Sequence, residues 1–202
     1  MDIVGQINSV HRAVRSVGET NSVLLRRTYE AEVEDLWDAC TEPDRISRWL
    51  TPVTGDFRLG GTYQLKGNAG GKILRCEPPR LLRVSWVFGD MPPSEVEARI
   101  TPAGDGKAQL ELEHGALADD DHWDSYGPGA VGIGWDLSLL GLGLHLRGEH
   151  LEDPQAWMVT AEAKQFMTRS SQDWGSAYEA SGASPERAAA VTERTTAAYL
   201  GG

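Results

Sequence analysis

Two polar side chains in this sequence stand where they could do chemistry, His114 and Tyr63. His114 ends a stretch in which Ala108, Leu110 and Leu112 alternate with polar residues, so alternation puts its imidazole on the apolar face. An imidazole there could act as a general base or anchor a ligand, and the Tyr63 hydroxyl could move a proton or orient a ligand. The alternative is a structural histidine that bonds a backbone carbonyl near the end of its strand.

Aromatic residues recur on the same predicted inner faces. As a ligand cage they would suit a flat apolar molecule, whereas as core residues they would only fill volume. Trp37, Trp49 and Trp86 are expected to be mainly core residues, whereas Tyr63, Phe88 and Trp135 favour a cavity. The full set expected around the cavity is Phe57, Tyr63, Trp86, Phe88, Leu112, His114, Trp135 and Leu139.

Asp119-Asp120-Asp121-His122 brings potential metal ligands together. Four adjacent residues rarely converge on one ion, and aspartate at the start of a helix stabilises its dipole, so the segment predicts a helix N-terminus. His145 and His150 are expected at the surface, and neither a metal nor a cofactor is expected. No nucleophile elbow, phosphate loop or HExxH motif occurs, so the sequence leaves open whether the protein is an enzyme.

The composition limits the classes of partner. The 202 residues suffice for one well-buried core, and the formal net charge is −11. Nucleic-acid binders need clustered Lys and Arg, and an anionic membrane surface repels an acidic protein. Neither nucleic acid nor a membrane is therefore expected as a partner.

The location expected from the sequence is the cytoplasm. Cys40 and Cys76 stand far apart among apolar residues, as expected of two buried free thiols. The first residues lack the basic and apolar pattern of a signal peptide, and Asp136 interrupts the apolar stretch 129–146.

The first third of the chain predicts a hairpin followed by helices. Residues 3–17 and 23–29 alternate around the turn residues 18–21. From residue 33 the apolar spacing becomes helical, and a second short helix is predicted to end at Trp49-Leu50.

The middle of the chain predicts an antiparallel meander. Short turns separate its period-two stretches, and one strand, which carries Phe57 and Leu65 on one face, is predicted to bend at Gly60-Gly61. The stretches are 57–65, 72–77, 82–88, 96–100 and 108–114.

A buried helix is predicted to follow the meander. Trp135, Leu139, Leu142 and Leu146 recur at helical spacing, and apolar residues cover so much of the helix that it should lie across the concave face of the sheet.

Two more helices are predicted beyond the meander and its helix. Asp153-Pro154 and Ser184-Pro185 are typical helix starts, opening helices at 154–180, broken near Ser170-Ser171 or Gly175, and at 185–200. These helices are expected to pack on the same domain or on a partner chain. A homodimer through them is one expectation.

Four segments resemble the activator-of-Hsp90-ATPase-like family of the START/Bet v 1-like (SRPBCC) superfamily. They are Leu36-Trp37-Asp38-Ala39-Cys40-Thr41-Glu42-Pro43, Gly55-Asp56-Phe57-Arg58-Leu59-Gly60-Gly61, Glu77-Pro78-Pro79-Arg80-Leu81 and Gly134-Trp135-Asp136 with its following leucines. The resemblance covers roughly residues 5 to 147 and implies an α+β helix-grip fold, a curved antiparallel sheet around a long helix. The predicted organisation is a helix-grip domain at 1–149 and a C-terminal helical extension at 150–202.

The expected function is binding of a small apolar or aromatic molecule in an internal cavity. Two alternatives follow from the resemblance. One is an enzyme similar to the polyketide cyclases and aromatases of the superfamily, with His114 or Tyr63 moving a proton. The other is a chaperone-related interaction module, which would need a large exposed apolar patch on the sheet.

Overall fold

The computed structural model describes residues 2–118 and 121–201, and eight strands in this part of the chain form one sheet. The strands are β1 (Val10–Val17), β2 (Thr20–Tyr29), β3 (Val53–Gly55), β4 (Thr62–Leu65), β5 (Gly70–Glu77), β6 (Leu81–Trp86), β7 (Ser94–Pro102) and β8 (Ala108–Ala118). The helices are α1 (Val33–Thr41), α2 (Pro43–Ile46), α3 (Asp121–Tyr126), α4 (Gly129–Leu146), α5 (Pro154–Met158), α6 (Ala161–Ala180) and α7 (Pro185–Leu200).

Every neighbouring pair of strands is antiparallel, in the order β1-β2-β8-β7-β6-β5-β4-β3. The meander from β3 to β8 is consecutive, and β8 then returns to pair with β2. The pairing places Leu112 between Leu25 and Ala98, so these apolar side chains share one face of the sheet. The predicted helix-grip fold is confirmed: a curved antiparallel sheet holds long helices.

Helix α4 packs against that apolar face. Its residues Trp135, Leu139 and Leu142 join one core cluster with Leu110 and Leu112 of β8. By length and composition alone α4 is apolar enough to cross a membrane, but 56% of it is buried inside this fold. Its hydrophobicity is therefore that of a core helix, as its spacing predicts.

A buried ion pair fastens α4 to the first strand. The guanidinium of Arg12 donates to both carboxylate oxygens of Asp136, through Nη2 at 2.8 Å and Nε at 3.0 Å. Ser170 Oγ and Trp174 Nε1, both on α6, also donate to Asp136. Asp136, which is only 2% exposed, thus joins β1, α4 and α6.

Glycines in α4 make room for its neighbours. A Cβ at Gly132 would lie 2.3 Å from the Trp174 ring, and one at Gly143 would lie 2.9 Å from the guanidinium of Arg27. These two glycines let an indole and a guanidinium reach the helix backbone, where Arg27 Nη1 donates to the carbonyl of Leu139 at 3.0 Å. Gly132 and Gly143 are therefore packing residues.

The C-terminal helices lie against the rest of the chain. Asp153 and Ser184 cap α5 and α7, as their sequence predicts. The apolar stripe of α7 is used within the chain: Val191 is buried, and the Tyr199 hydroxyl donates to the carbonyl of Ala130 at 2.9 Å. The division at residue 149 and a homodimer through these helices stay predictions.

The predicted hairpin is formed by β1 and β2, and β4 forms the end of the strand predicted at 57–65, but the first part of each of these two predicted strands is wrong. Val4–Ser9 is a 3-10 turn, because Ile3 and Ile7 are spaced to pack together against Leu140 and Leu144. The predicted strand through Phe57 is a loop from 56 to 61, closed by a hydrogen bond from Gly61 N to Arg58 O.

Two further expectations are corrected. The break in the helix predicted for 154–180 falls at 159–160, since Ser170, Ser171 and Gly175 lie inside α6 and pack against its neighbours. Cys40 and Cys76 are both free, but Cys40 is only partly buried and Cys76 is exposed, whereas both were expected to be buried.

Candidate functional site

A cavity of about 180 Å³ lies between the sheet and α4. Its volume exceeds the roughly 150 Å³ of an engineered protein cavity that stays dry and binds benzene. Six of the eight residues expected around a cavity line it: Phe57, Tyr63, Trp86, Leu112, Trp135 and Leu139. The remaining lining residues are Cys40, Thr41, Ile46, Trp49, Val53, Leu65, Ile73, Cys76, Leu82, Val84, Val96, Ala98, Leu110 and Ser138.

The other two expected residues, Phe88 and His114, line a smaller cavity of about 100 Å³. Phe88 lies beyond the end of β6 and is 50% exposed, so it stands at the outer side of this cavity. Trp86 lines both cavities. The two spaces are therefore neighbours that share one aromatic side chain.

His114 is held between two tryptophans at this boundary. Trp135 Nε1 donates to His114 Nδ1 at 3.1 Å, and His114 Nε2 lies 2.8 Å from Ser94 Oγ. Because an indole can only donate, Nδ1 accepts and the proton sits on Nε2, which donates to Ser94. Ser94 Oγ in turn donates to the carbonyl of Trp86 at 3.2 Å.

Burial lowers the pKa of His114 to about 4, and the side chain is only 3% exposed. The ring is therefore neutral at physiological pH, and its one basic lone pair is already bonded to Trp135. A general base needs a free lone pair directed at its substrate. His114 instead stiffens the wall, partnered by an indole and a hydroxyl rather than by the backbone carbonyl that the structural interpretation expected.

The hydroxyl group of Tyr63 also has a hydrogen-bond partner within the protein. Its hydroxyl donates to the carbonyl of Ser85 at 2.9 Å, and burial raises its pKa above the ordinary tyrosine value. The hydroxyl keeps a lone pair that could accept from a ligand, but the phenol is a weaker acid than in water.

The two thiols in the wall were not expected at the site. Burial raises the pKa of Cys40 to about 12, so this thiol stays protonated. Cys76 reaches the cavity together with Ile73, three residues before it, because the pairing of β5 with β6 shifts between Ile73 and Arg75. Strict alternation would put Ile73 and Cys76 on opposite faces, so no pattern in the sequence predicts this bulge.

A third cavity, of about 250 Å³, lies on the far side of Trp49. Leu137, Leu140 and Leu144 of α4 form one wall, and Trp157 of α5 forms another. α5 therefore covers one side of a partly open, mainly apolar space beside the main cavity.

The predicted helix start at 119–122 lies partly outside the described residues, namely at Asp119 and Asp120. Asp121 begins α3, and the His122 ring lies 5.1 Å from that of Tyr126. His150 is exposed as expected, whereas His145 is partly buried and lies 3.3 Å from Arg45 Nε. In the described part of the chain no three His, Cys, Asp or Glu side chains are grouped as metal ligands.

Comparison with known proteins identifies relatives of this chain. The sequence pattern of the family described as activator of Hsp90 ATPase homolog 1-like protein matches residues 30–146. CalU16 from Micromonospora echinospora is 36% identical in its crystal structure, which covers 84% of this chain and 98% of CalU16 with a TM-score of 0.68. Its solution structure gives a TM-score of 0.72 over 86% of this chain and 97% of CalU16.

A more distant structure shares the fold. EF2215 from Enterococcus faecalis, a conserved protein of unknown function, is 12% identical and covers 87% of this chain and 96% of its own, with a TM-score of 0.64. At that identity the likeness concerns the fold alone. No curated protein shows significant sequence similarity to this chain.

Proposed function

Because this chain belongs to the activator of Hsp90 ATPase homolog 1-like family and carries an apolar cavity between its sheet and α4, we propose that it binds a small apolar or aromatic molecule there. The observation that carries the proposal is the chemistry of the cavity wall. Among the described residues that line it, none carries a carboxylate, an ammonium or a guanidinium group. A pocket with apolar walls and a few hydroxyl groups suits an uncharged ligand.

A proton-transferring enzyme has less support. His114 and Tyr63, the two groups that would move the proton, are both committed to protein partners. An interaction module on the outer face of the sheet also has less support, since Glu111 and Glu113 there pair with Arg26 and Arg15. We place the protein in the cytoplasm and propose no nucleic acid, membrane or metal as its partner.

Two neighbouring residues of β7 provide a matched test, because they point to opposite faces of the sheet. Ala98 lines the cavity, whereas Arg99 is on the outer face and pairs with Glu97. We expect Ala98→Phe to fill the cavity and weaken binding of 2-ethylnaphthalene at least tenfold, and Arg99→Phe to leave binding unchanged. The measurement is isothermal titration calorimetry, with circular dichroism to check that each variant folds.

Equal binding of 2-ethylnaphthalene by both variants would contradict the proposal, because the ligand would then lie elsewhere. Native mass spectrometry of the freshly purified protein adds an independent test. A discrete extra mass that disappears on unfolding supports the proposal. A bare chain mass, together with no binding of the naphthalene by the wild type, would refute it.

A further inference from the structure

Three aromatic rings form the boundary between the two cavities. The ring centroids of Trp86 and Trp135 are 5.2 Å apart, and the His114 ring lies 5.7 Å from Trp86 and 5.9 Å from Trp135. Ring contacts of this kind hold each side chain in one orientation. Trp86 is the member of the three that lines both spaces.

Nearly all strong hydrogen-bond donors in the wall of the main cavity are already used. The hydroxyl groups of Thr41, Tyr63 and Ser138 donate to the backbone carbonyls of Trp37, Ser85 and Gly134, at 2.8, 2.9 and 2.8 Å. The indole N–H of Trp49 donates to the carbonyl of Ala39 at 2.9 Å, and that of Trp135 to His114. The two thiols are weak donors.

The indole N–H of Trp86 is the exception in this wall. Nothing in the described part of the chain accepts a hydrogen bond from this N–H, although the Trp86 side chain is partly buried in the cavity wall. Among the described residues, Nε of Arg27 is the only fully buried side-chain nitrogen without a hydrogen-bond partner. Because the Trp86 nitrogen also lacks a partner, it must be accessible to solvent or to a ligand. Trp86 lines both cavities, so a ligand in either one would lie beside its indole ring.

We propose that the indole N–H of Trp86 selects the ligand, which is an uncharged aromatic molecule bearing a carbonyl or ether oxygen. This inference rests on the proposed binding function. A pure hydrocarbon would displace the water molecule bonded to this N–H and would leave the N–H without an acceptor. A ligand with an acceptor oxygen would replace the hydrogen bond to water with one of its own. A carboxylate ligand would lose its hydration against a wall that offers no cation.

The test compares two ligands of equal shape, 2-acetylnaphthalene and 2-ethylnaphthalene, by isothermal titration calorimetry. We expect the wild type to bind the ketone about tenfold more tightly than the hydrocarbon, the ratio for one hydrogen bond of about 1.4 kcal/mol. In Trp86→Phe the ratio of the two affinities should fall to about one, whatever the absolute affinities become. In Trp49→Phe, whose N–H already has a partner, the preference should remain.

The outcomes separate this inference from the proposed function. If neither ligand binds the wild type, the proposed function fails and the role of Trp86 fails with it. If the hydrocarbon binds but the ketone preference is absent, or survives in Trp86→Phe, only the role of Trp86 is overturned. If Trp86→Phe does not fold, NMR of the indole N–H proton of Trp86 in the wild type provides the test. A downfield shift on addition of the ketone, but not of the hydrocarbon, supports the inference, and the absence of such a shift refutes it.

Discussion

The indole N–H of Trp135 donates to Nδ1 of His114 at 3.1 Å, and this bond determines which nitrogen of the imidazole carries the proton. Because the proton sits on Nε2, the ring can donate to Ser94 and has no lone pair left for a substrate. We expect nitrogen NMR of the imidazole to show the neutral Nε2–H tautomer at pH 7. A charged ring, or the Nδ1–H tautomer, would contradict this arrangement.

The lowered pKa of His114 makes stability depend on pH in a defined direction. The unfolded chain takes up this proton below about pH 6.5 and the folded chain only near pH 4, so folding stability is lost as the pH falls through that interval. We expect His114→Gln to remove about 2 kcal/mol of the difference in unfolding free energy between pH 7.5 and pH 4.5. Urea denaturation at the two pH values measures the difference.

His145 provides the control for this pH dependence. Burial and the nearby charges of Arg45 and Arg48 lower its pKa as well, so His145 also contributes folding stability that is lost as the pH falls. We expect His145→Gln to change the pH dependence less than His114→Gln does, because His145 is more exposed. An equal or larger change in the His145 variant would contradict the assignment to His114.

Helix α4 offers a pair of glycines for a test of packing. A Cβ at Gly132 would overlap the Trp174 ring, whereas the nearest atom to a Cβ at Gly134 is the Tyr199 hydroxyl oxygen, 3.7 Å away. We expect Gly132→Ala to lower the unfolding free energy by about 2 kcal/mol and Gly134→Ala to raise it by up to about 1 kcal/mol. Thermal and urea unfolding measure both, and similar effects of the two changes would refute the packing argument.

The Asp136 carboxylate is predicted to be costly to remove. Asp136→Ala leaves the guanidinium of Arg12 buried without its main counter-ion, and we expect a loss of about 3–5 kcal/mol in unfolding free energy. Asp173→Ala, which removes the more exposed partner of Arg12, should cost about 1 kcal/mol or less. If the two variants unfolded at similar urea concentrations, the central role of Asp136 would be wrong.

The second buried arginine is expected to behave differently from Arg12. Arg27 bonds to the carbonyl of Leu139 and to the side chain of Gln6, its cation lies 4.9 Å above the Tyr29 ring, and its Nε has no partner among the described residues. Desolvation lowers its pKa, because burial disfavours the cation. We expect Arg27→Met to change the unfolding free energy by about 1 kcal/mol or less, against about 3 kcal/mol or more for Arg12→Met. A comparable loss in both variants would contradict this contrast.

The sequence predicts this fold best where one periodic pattern governs a whole element. Alternation in β8 and helical spacing in α4 locate the face on which Leu112, Trp135 and Leu139 surround a cavity. The pattern fails where a local irregularity decides, as at the bulge that turns Cys76 toward that cavity. The pattern also does not predict the role of Asp136. In the sequence this residue only interrupts an apolar stretch, because its partner Arg12 lies 124 residues away.

That separation has a consequence for how the chain is made. β1 is made before α4 and α6, since Asp136 follows Arg12 by 124 residues and Asp173 follows it by 161. At roughly 5–20 residues per second, about 6–25 seconds pass before Asp136 is made and about 8–32 seconds before Asp173 is made. The contacts of Arg12 with Asp136 and with Asp173 can therefore form only after α4 and α6 have been synthesised.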